Sequence, residues 1–116
     1  ILVESTGPVF SSGHDFGDFA YTSPAEQRET LDICAELNTL LNQAPQVTVA
    51  AVEGSCYGGG VALAASCDLV LAHEELASFT LPGTRDGGFC HTPSVAVAAR
   101  VSSTRKAFEL AVLCND

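Results

Sequence analysis

Basic residues are scarce in this chain. Only 5 lysines and arginines stand against 14 aspartates and glutamates, a formal charge of −9 at pH 7. A surface of that sign repels phosphate backbones and anionic headgroups, so neither nucleic acid nor a membrane is an expected partner. No apolar run approaches the roughly 20 residues that a spanning helix needs, and the opening has no signal-peptide pattern. Methionine is absent altogether, even as an initiator, and the first residues are already the strand-like "ILVESTGPVF". The chain is therefore expected to be a fragment whose first elements are missing. Paired cysteines are lacking too. Cys34, Cys56, Cys67, Cys90 and Cys114 are scattered and odd in number, without a CxxC spacing, which fits neither a disulfide framework nor a structural zinc site. No metal is expected, and the expected compartment is a reducing interior, mitochondrial or cytoplasmic.

What is present is enough for one domain: 116 residues, 47% of them hydrophobic. Strand and helix patterns alternate. "ILVE" and "PVF" are short and β-prone, and "SSGHDFGDF" reads as a loop. The helix beginning at Ser23 carries the strongest local signals. Ser23 and Glu26 have the spacing of a capping box and Pro24 stands at the first helical position. Leu31, Cys34, Leu37, Leu40 and Leu41 then form an apolar stripe, and Pro45 ends the element. "QVTVAAVE" and "LVLAHE" are near-continuous apolar runs, as expected of strands buried on both faces. "VALAASCD" has helical composition, "TRDGGFCHTP" is turn-rich, and "PSVAVAARV" and "STRKAFELAVL" read as two further helices, the second capped by Ser102 or Ser103. Strands joined through helices predict an α/β domain with parallel pairing.

The run "EGSCYGGGVALAASCD" places Gly58, Gly59 and Gly60 between a buried strand and a helix. Backbone N–H groups at a helix start favour negative charge, and glycine lets a ligand approach the main chain. Tight strand-to-helix packing is the plainer explanation of the same glycines. A phosphate-gripping loop is not expected, because no Lys-Ser/Thr follows.

A second small-residue turn, "VFSSGHDF", also follows a strand. Together with "VAAVEGSCYGGGVALAASCDLVLAHEELASFTLPG", and with "GGFCHTP" and "RKAFELAVL" in register behind it, it resembles the enoyl-CoA hydratase/isomerase (crotonase) family over essentially the whole chain. The resemblance is strongest to its subgroup of enoyl-CoA hydratase domain-containing proteins. It implies a crotonase-like α/β fold, a spiral of strand-strand-helix turns, here incomplete: a partial acyl-CoA-binding domain over residues 1–116 that lacks N-terminal strands and the C-terminal helices of trimerisation. It implies an acyl-CoA thioester as partner, coenzyme A entering only as part of that substrate with no separate cofactor, and a homo-trimer or hexamer for the full-length protein. A chain cut from such an assembly should expose apolar surface.

The resemblance also implies roles. The thioester carbonyl would sit in an oxyanion hole made by the backbone N–H groups of His14 and Gly59, with Ser12, Gly13, Asp15, Tyr57, Gly58, Gly60 and Cys90 around the substrate. Two positions depart from the family pattern. Where family hydratases carry glutamates, this chain has Ala62 and Gly83. Neither can move a proton, and hydration of a double bond needs both a base and an acid. His91, whose residue type has a reference pKa of about 6.5, is the candidate substitute; Asp86 and Cys90 are weaker ones.

Three functions follow. One is a thioester-binding protein with noncanonical or weak hydratase/isomerase-type activity in fatty-acid metabolism. The second is a catalytically inactive homologue that binds acyl-CoA or partners active subunits. The third, a hydrolase of the related protease type, needs Ser55 or Cys56 as nucleophile. Structural duties are expected for Asp15, which should accept backbone N–H bonds in its turn, and for Cys67, Asp68 and His73. Glu53 is expected to pair with Arg85 or Arg100.

Overall fold

The computed structural model describes residues 1–85, 100–101 and 103–114. Six short strands alternate between two parallel sheets. β1 (Leu2–Glu4), β3 (Val49–Val52) and β5 (Leu69–Ala72) form one, in the order β1-β3-β5; β2 (Val9–Ser11), β4 (Ser55–Tyr57) and β6 (Ser78–Thr80) form the other, in the order β2-β4-β6. Each strand pair is followed by helix. α1 (Phe16–Ala20) and α2 (Pro24–Gln43) follow β2, α3 (Gly59–Ser66) follows β4, and the 3-10 turn Pro82–Thr84 follows β6. This is the expected strand-strand-helix spiral, and parallel pairing is what helical crossovers impose.

Local chemistry fixes the ends of these elements. The capping box predicted at α2 is present: the Ser23 hydroxyl accepts from the Glu26 N–H, and the Glu26 carboxylate accepts from the Ser23 N–H at 2.8 Å. Those bonds from Ser23 hold the Glu26 carboxyl below its usual range. Near the C-terminus, Ser103 rather than Ser102 caps α4 (Thr104–Phe108), its hydroxyl accepting from the Lys106 N–H at 3.2 Å. The predicted single helix continues only as a π-type turn, Glu109–Leu113, which ends with Cys114 in the left-handed region at φ 53°. The helix read from "PSVAVAARV" lies outside the described residues, apart from Arg100 and Val101.

One polar lock sets β3 beside β5. The Thr48 N–H and hydroxyl both donate to Asp68 Oδ2, at 2.8 and 3.0 Å, while the Asp68 N–H donates to the Thr48 hydroxyl at 2.9 Å. Thr48 is completely buried. These bonds, the backbone one first, hold the Asp68 carboxyl below its usual range. Asp68 and the buried Cys67 thus have the structural duties the sequence suggested.

The core joins Phe10, Leu81 and Leu110 to the smaller Ala50, Val52, Cys56, Val61, Ala64 and Cys67. Several expected burials are not realised. All four residues of β5 are exposed, Leu71 to 62%, so "LVLAHE" is not a strand buried on both faces; β5 is the edge of its sheet. The α2 stripe is likewise open: the helix has no buried residue, and Leu31, Leu37 and Leu40 are exposed. The exposed apolar surface expected from the family resemblance is therefore present. The "SSGHDFGDF" segment, read as a loop, instead folds its second half into α1, because Asp15 serves as N-cap and accepts from the Gly17 N–H at 2.8 Å.

Candidate functional site

Two strand-to-helix turns meet at the top of the β2-β4-β6 sheet. The first leaves β2 at Ser11 and reaches α1 through Gly13 and His14; the second leaves β4 at Tyr57 and enters α3 through Gly58. Gly13 is left-handed at φ +85°, and a β-carbon on it would lie 2.9 Å from the Tyr57 carbonyl oxygen and 3.1 Å from the Gly59 nitrogen. The two main chains are therefore in direct contact, and only glycine permits it. Gly60 is under similar constraint. A β-carbon there would fall 2.5 Å from that of Ser11.

The hydrogen bonds divide the turn donors into used and unused ones. The Gly13 N–H donates to the Ser11 hydroxyl at 3.2 Å, and the Gly58 N–H donates to the Thr80 carbonyl at 2.9 Å. The Gly58 carbonyl starts α3 by accepting from Val61 and Ala62. Gly59, as the first residue of α3, has an N–H without an intrahelical acceptor. Among the described residues, no backbone bond outside helices and strands uses the His14 or the Gly59 N–H. The residues named from the sequence as paired donors thus stand on the two touching turns.

The His14 side chain belongs to the same place. Its Nδ1 and Cε1 lie 2.9 and 3.0 Å from where a Gly59 β-carbon would be, and its ring meets Phe19 edge-on with centroids 5.6 Å apart. Tyr57 and Gly58 are half-buried beside the contact, and Asp15 shapes the first turn from its exposed position. Ser12 is exposed, and it is Ser11 that holds the turn. Sequence reasoning passed over Ser11 and Phe19. Ser11 could have been found from strand alternation, since it lies next to the buried Phe10 and on the opposite face.

The two positions that lack an acid are also described. Ala62 is fully buried in α3, and its carbonyl accepts from the Ser66 hydroxyl at 2.7 Å. Gly83 sits in the 3-10 turn after β6. The end of that turn is tied to the π-type turn: Thr84 Oγ1 donates to the Val112 carbonyl at 3.0 Å and Arg85 donates to the Cys114 carbonyl at 2.9 Å. Arg100 donates to the Cys67 carbonyl at 3.3 Å. The expected pairing of exposed Glu53 with Arg85 or Arg100 is not found among the described residues, since both guanidiniums donate to carbonyls at the ends of other elements.

His91, Cys90 and Asp86 lie outside the described residues. Cys56 is not a reactive thiol: it is fully buried, and burial pushes its pKa up to about 12. The Ser55 hydroxyl meets the Ser78 hydroxyl at 3.4 Å, and among the described residues no base hydrogen-bonds to Ser55 or Cys56. His73 Nδ1 accepts from the Glu75 and Leu76 N–H groups at 3.2 and 3.3 Å. Among the described residues no group of histidines, cysteines and acids could hold a metal ion. A separate, mainly apolar cleft of about 460 Å³ lies between α3, β6 and α4, lined by Val61, Phe79 and Leu110 among others, and does not include His14 or Gly59.

Known proteins share this fold. The sequence profile of the enoyl-CoA hydratase/isomerase family matches residues 1–116. The mitochondrial enoyl-CoA hydratase domain-containing protein 3 of Danio rerio is 37% identical over 102 residues, which is 87% of this chain and 35% of that protein. The crystal structure of the human enoyl coenzyme A hydratase domain-containing protein 3 superimposes with a TM-score of 0.92 at 32% identity, covering 98% of this chain and 45% of that one. An enoyl-CoA hydratase/isomerase family protein from Silicibacter pomeroyi gives 0.89 at 34% identity, over 98% and 47%. The chain spans about a third of the length of the curated relatives it matches, 35% and 34% for two of them.

Proposed function

Because this chain belongs to the enoyl-CoA hydratase/isomerase family and has the crotonase-like fold, we propose that the two touching turns bind the thioester carbonyl of an acyl-CoA. The backbone N–H groups of His14 and Gly59 are the paired donors of an oxyanion hole. The observation that supports this reading is the contact of Gly13 with Gly59: His14 follows the first, the Gly59 N–H opens α3, and among the described residues no backbone bond outside helices and strands uses either N–H. Donors fixed before reaction stabilise a developing oxyanion by roughly 3–4 kcal/mol each. The physical task is to hold the negative charge of an enolate-like state.

With Ala62 and Gly83 at the acid positions, ordinary hydration lacks its proton carriers. The activity is accordingly noncanonical or weak hydratase/isomerase chemistry on fatty-acyl thioesters, with coenzyme A bound only as part of the substrate. The buried Ala62 also favours a second reading, a homologue that binds thioesters or partners active subunits without turnover. Assembly as a trimer or hexamer belongs to the same proposal, as does a mitochondrial location, which two relatives carry in their names.

Calorimetric titration of the full-length protein with acyl-CoA and 2-enoyl-CoA thioesters tests the reading. Thioesters should bind at least tenfold more tightly than free coenzyme A. Hydration of crotonyl-CoA should run roughly 10²–10⁴-fold below that of a relative holding both glutamates. Equal affinity for thioester and free coenzyme A would remove the oxyanion-hole reading, and binding without any turnover would select the second.

A further inference from the structure

The imidazole of His14, and not only its backbone N–H, stands at the junction of the two turns. Its Nδ1 and Cε1 edge is packed onto Gly59, the other proposed donor, and Phe19 meets the ring edge-on. Among the described residues no side-chain or backbone group hydrogen-bonds to either ring nitrogen. The ring is half-buried, so it is both held and reachable. Among the described residues of the two turns, Asp15 is exposed and accepts from the Gly17 N–H, and Tyr57 is half-buried. Gly58, Gly59 and Gly60 contribute no side chain at all.

We infer that the His14 side chain is the proton-transfer group of this site, acting on the carbon next to the thioester carbonyl. The inference rests on the oxyanion-hole reading and deepens it by naming the acid-base group that Ala62 and Gly83 do not supply. Histidine is the commonest side chain in that role, and a positioned one contributes typically about 10²–10⁴-fold. An α-carbon is bonded directly to the carbonyl carbon, so a base at the mouth of the hole is close to the proton it must take. In the step, a neutral imidazole nitrogen bonds the α-proton. The C–H electron pair becomes the carbon–carbon π bond, and the carbonyl π pair moves onto the oxygen, where the His14 and Gly59 N–H groups meet it. Collapse of the enolate takes a proton back from the imidazolium. Atoms and charge balance without a further reactant, and in deuterated water the net result is exchange of the α-hydrogens for deuterium.

The test follows deuterium uptake at the α-carbon of butyryl-CoA by mass spectrometry, using the full-length protein and its His14→Ala and His14→Gln variants. Both variants retain the residue-14 N–H and should bind butyryl-CoA within about threefold of the parent. Both should lose exchange by about 100-fold or more, and added imidazole should restore part of it to His14→Ala. Exchange at the parental rate in either variant would overturn the inference, and so would tight binding by the parent without exchange. Loss of butyryl-CoA binding along with exchange in both variants would also overturn it, by making the ring a structural prop. A parent that prefers no thioester over free coenzyme A would instead bring down the underlying reading.

Discussion

The two turns at the head of the β2-β4-β6 sheet and the outer surface of the β1-β3-β5 sheet are opposites in composition and in packing. The turns are built from glycine, serine and histidine, yet leave no room for one more methyl group at Gly13 or Gly60. β5 and α2 are rich in leucine and valine, yet stand open to solvent. Apolarity therefore tells which residues can be buried, while the distance between main chains tells which residues are constrained. In this protein the constraint lies with the residues that carry no side chain.

Four measurements would sharpen or break that contrast. The largest effect is expected at Gly54→Ala. The new β-carbon would overlap the Pro8 carbonyl, a backbone atom that cannot swing aside. The cost should be about 3 kcal/mol or more, the upper end for overpacking, read from urea unfolding. A near-neutral result would mean that the β1–β2 and β3–β4 connections, which meet at Pro8 and Gly54, are looser than their contact implies. Next comes Val52→Ala in the fully buried interior of β3. Removing two methyl-sized groups and leaving a small cavity should cost about 2 kcal/mol.

Acid should act through the Thr48–Asp68 lock. Asp68 has a folded pKa below its unfolded one, because the Thr48 N–H and hydroxyl bond the carboxylate. Its contribution is complete above the ordinary aspartate value of about 3.9 and is lost as pH falls through the lower folded value. Stability against urea should drop over that acid limb, and Asp68→Asn should flatten it. An unchanged pH profile in the variant would mean that the lock does not hold the sheet. The smallest effect belongs to Leu71→Ser on the exposed edge strand, less than about 0.5 kcal/mol. A cost matching that of Val52→Ala would mean the face is covered in solution.

Much of the local structure was legible from residue order. The Ser23–Glu26 box, the cap offered as Ser102 or Ser103 and the first glycine-bearing turn rest on bonds between residues a few positions apart, so the sequence pattern contains both partners. The two proposed donor residues, His14 and Gly59, were named for a different reason, as matches to a family motif. Four things were not. The exposure of β5 and of the α2 stripe depends on what else packs against them, and periodicity records only the capacity for burial. The start of α1 depended on whether Asp15 would cap a helix or merely close a turn, two outcomes with the same side-chain bond. Ser11 was overlooked in favour of Ser12, because which of two adjacent serines faces the glycines follows from the strand's orientation.

By itself the sequence determined the alternation of strand and helix patterns, the capping box, the glycines and the residues Ala62 and Gly83. Each is a property of one residue or of near neighbours. Only the tertiary structure decided that Gly13 would lie against Gly59, that Cys56 would be sealed away from any reaction, and that the His14 ring would rest on the second turn. Those outcomes join residues some 45 positions apart in the chain, and their contact is set by the parallel register of β2 on β4, which brings both turns to the same end of one sheet.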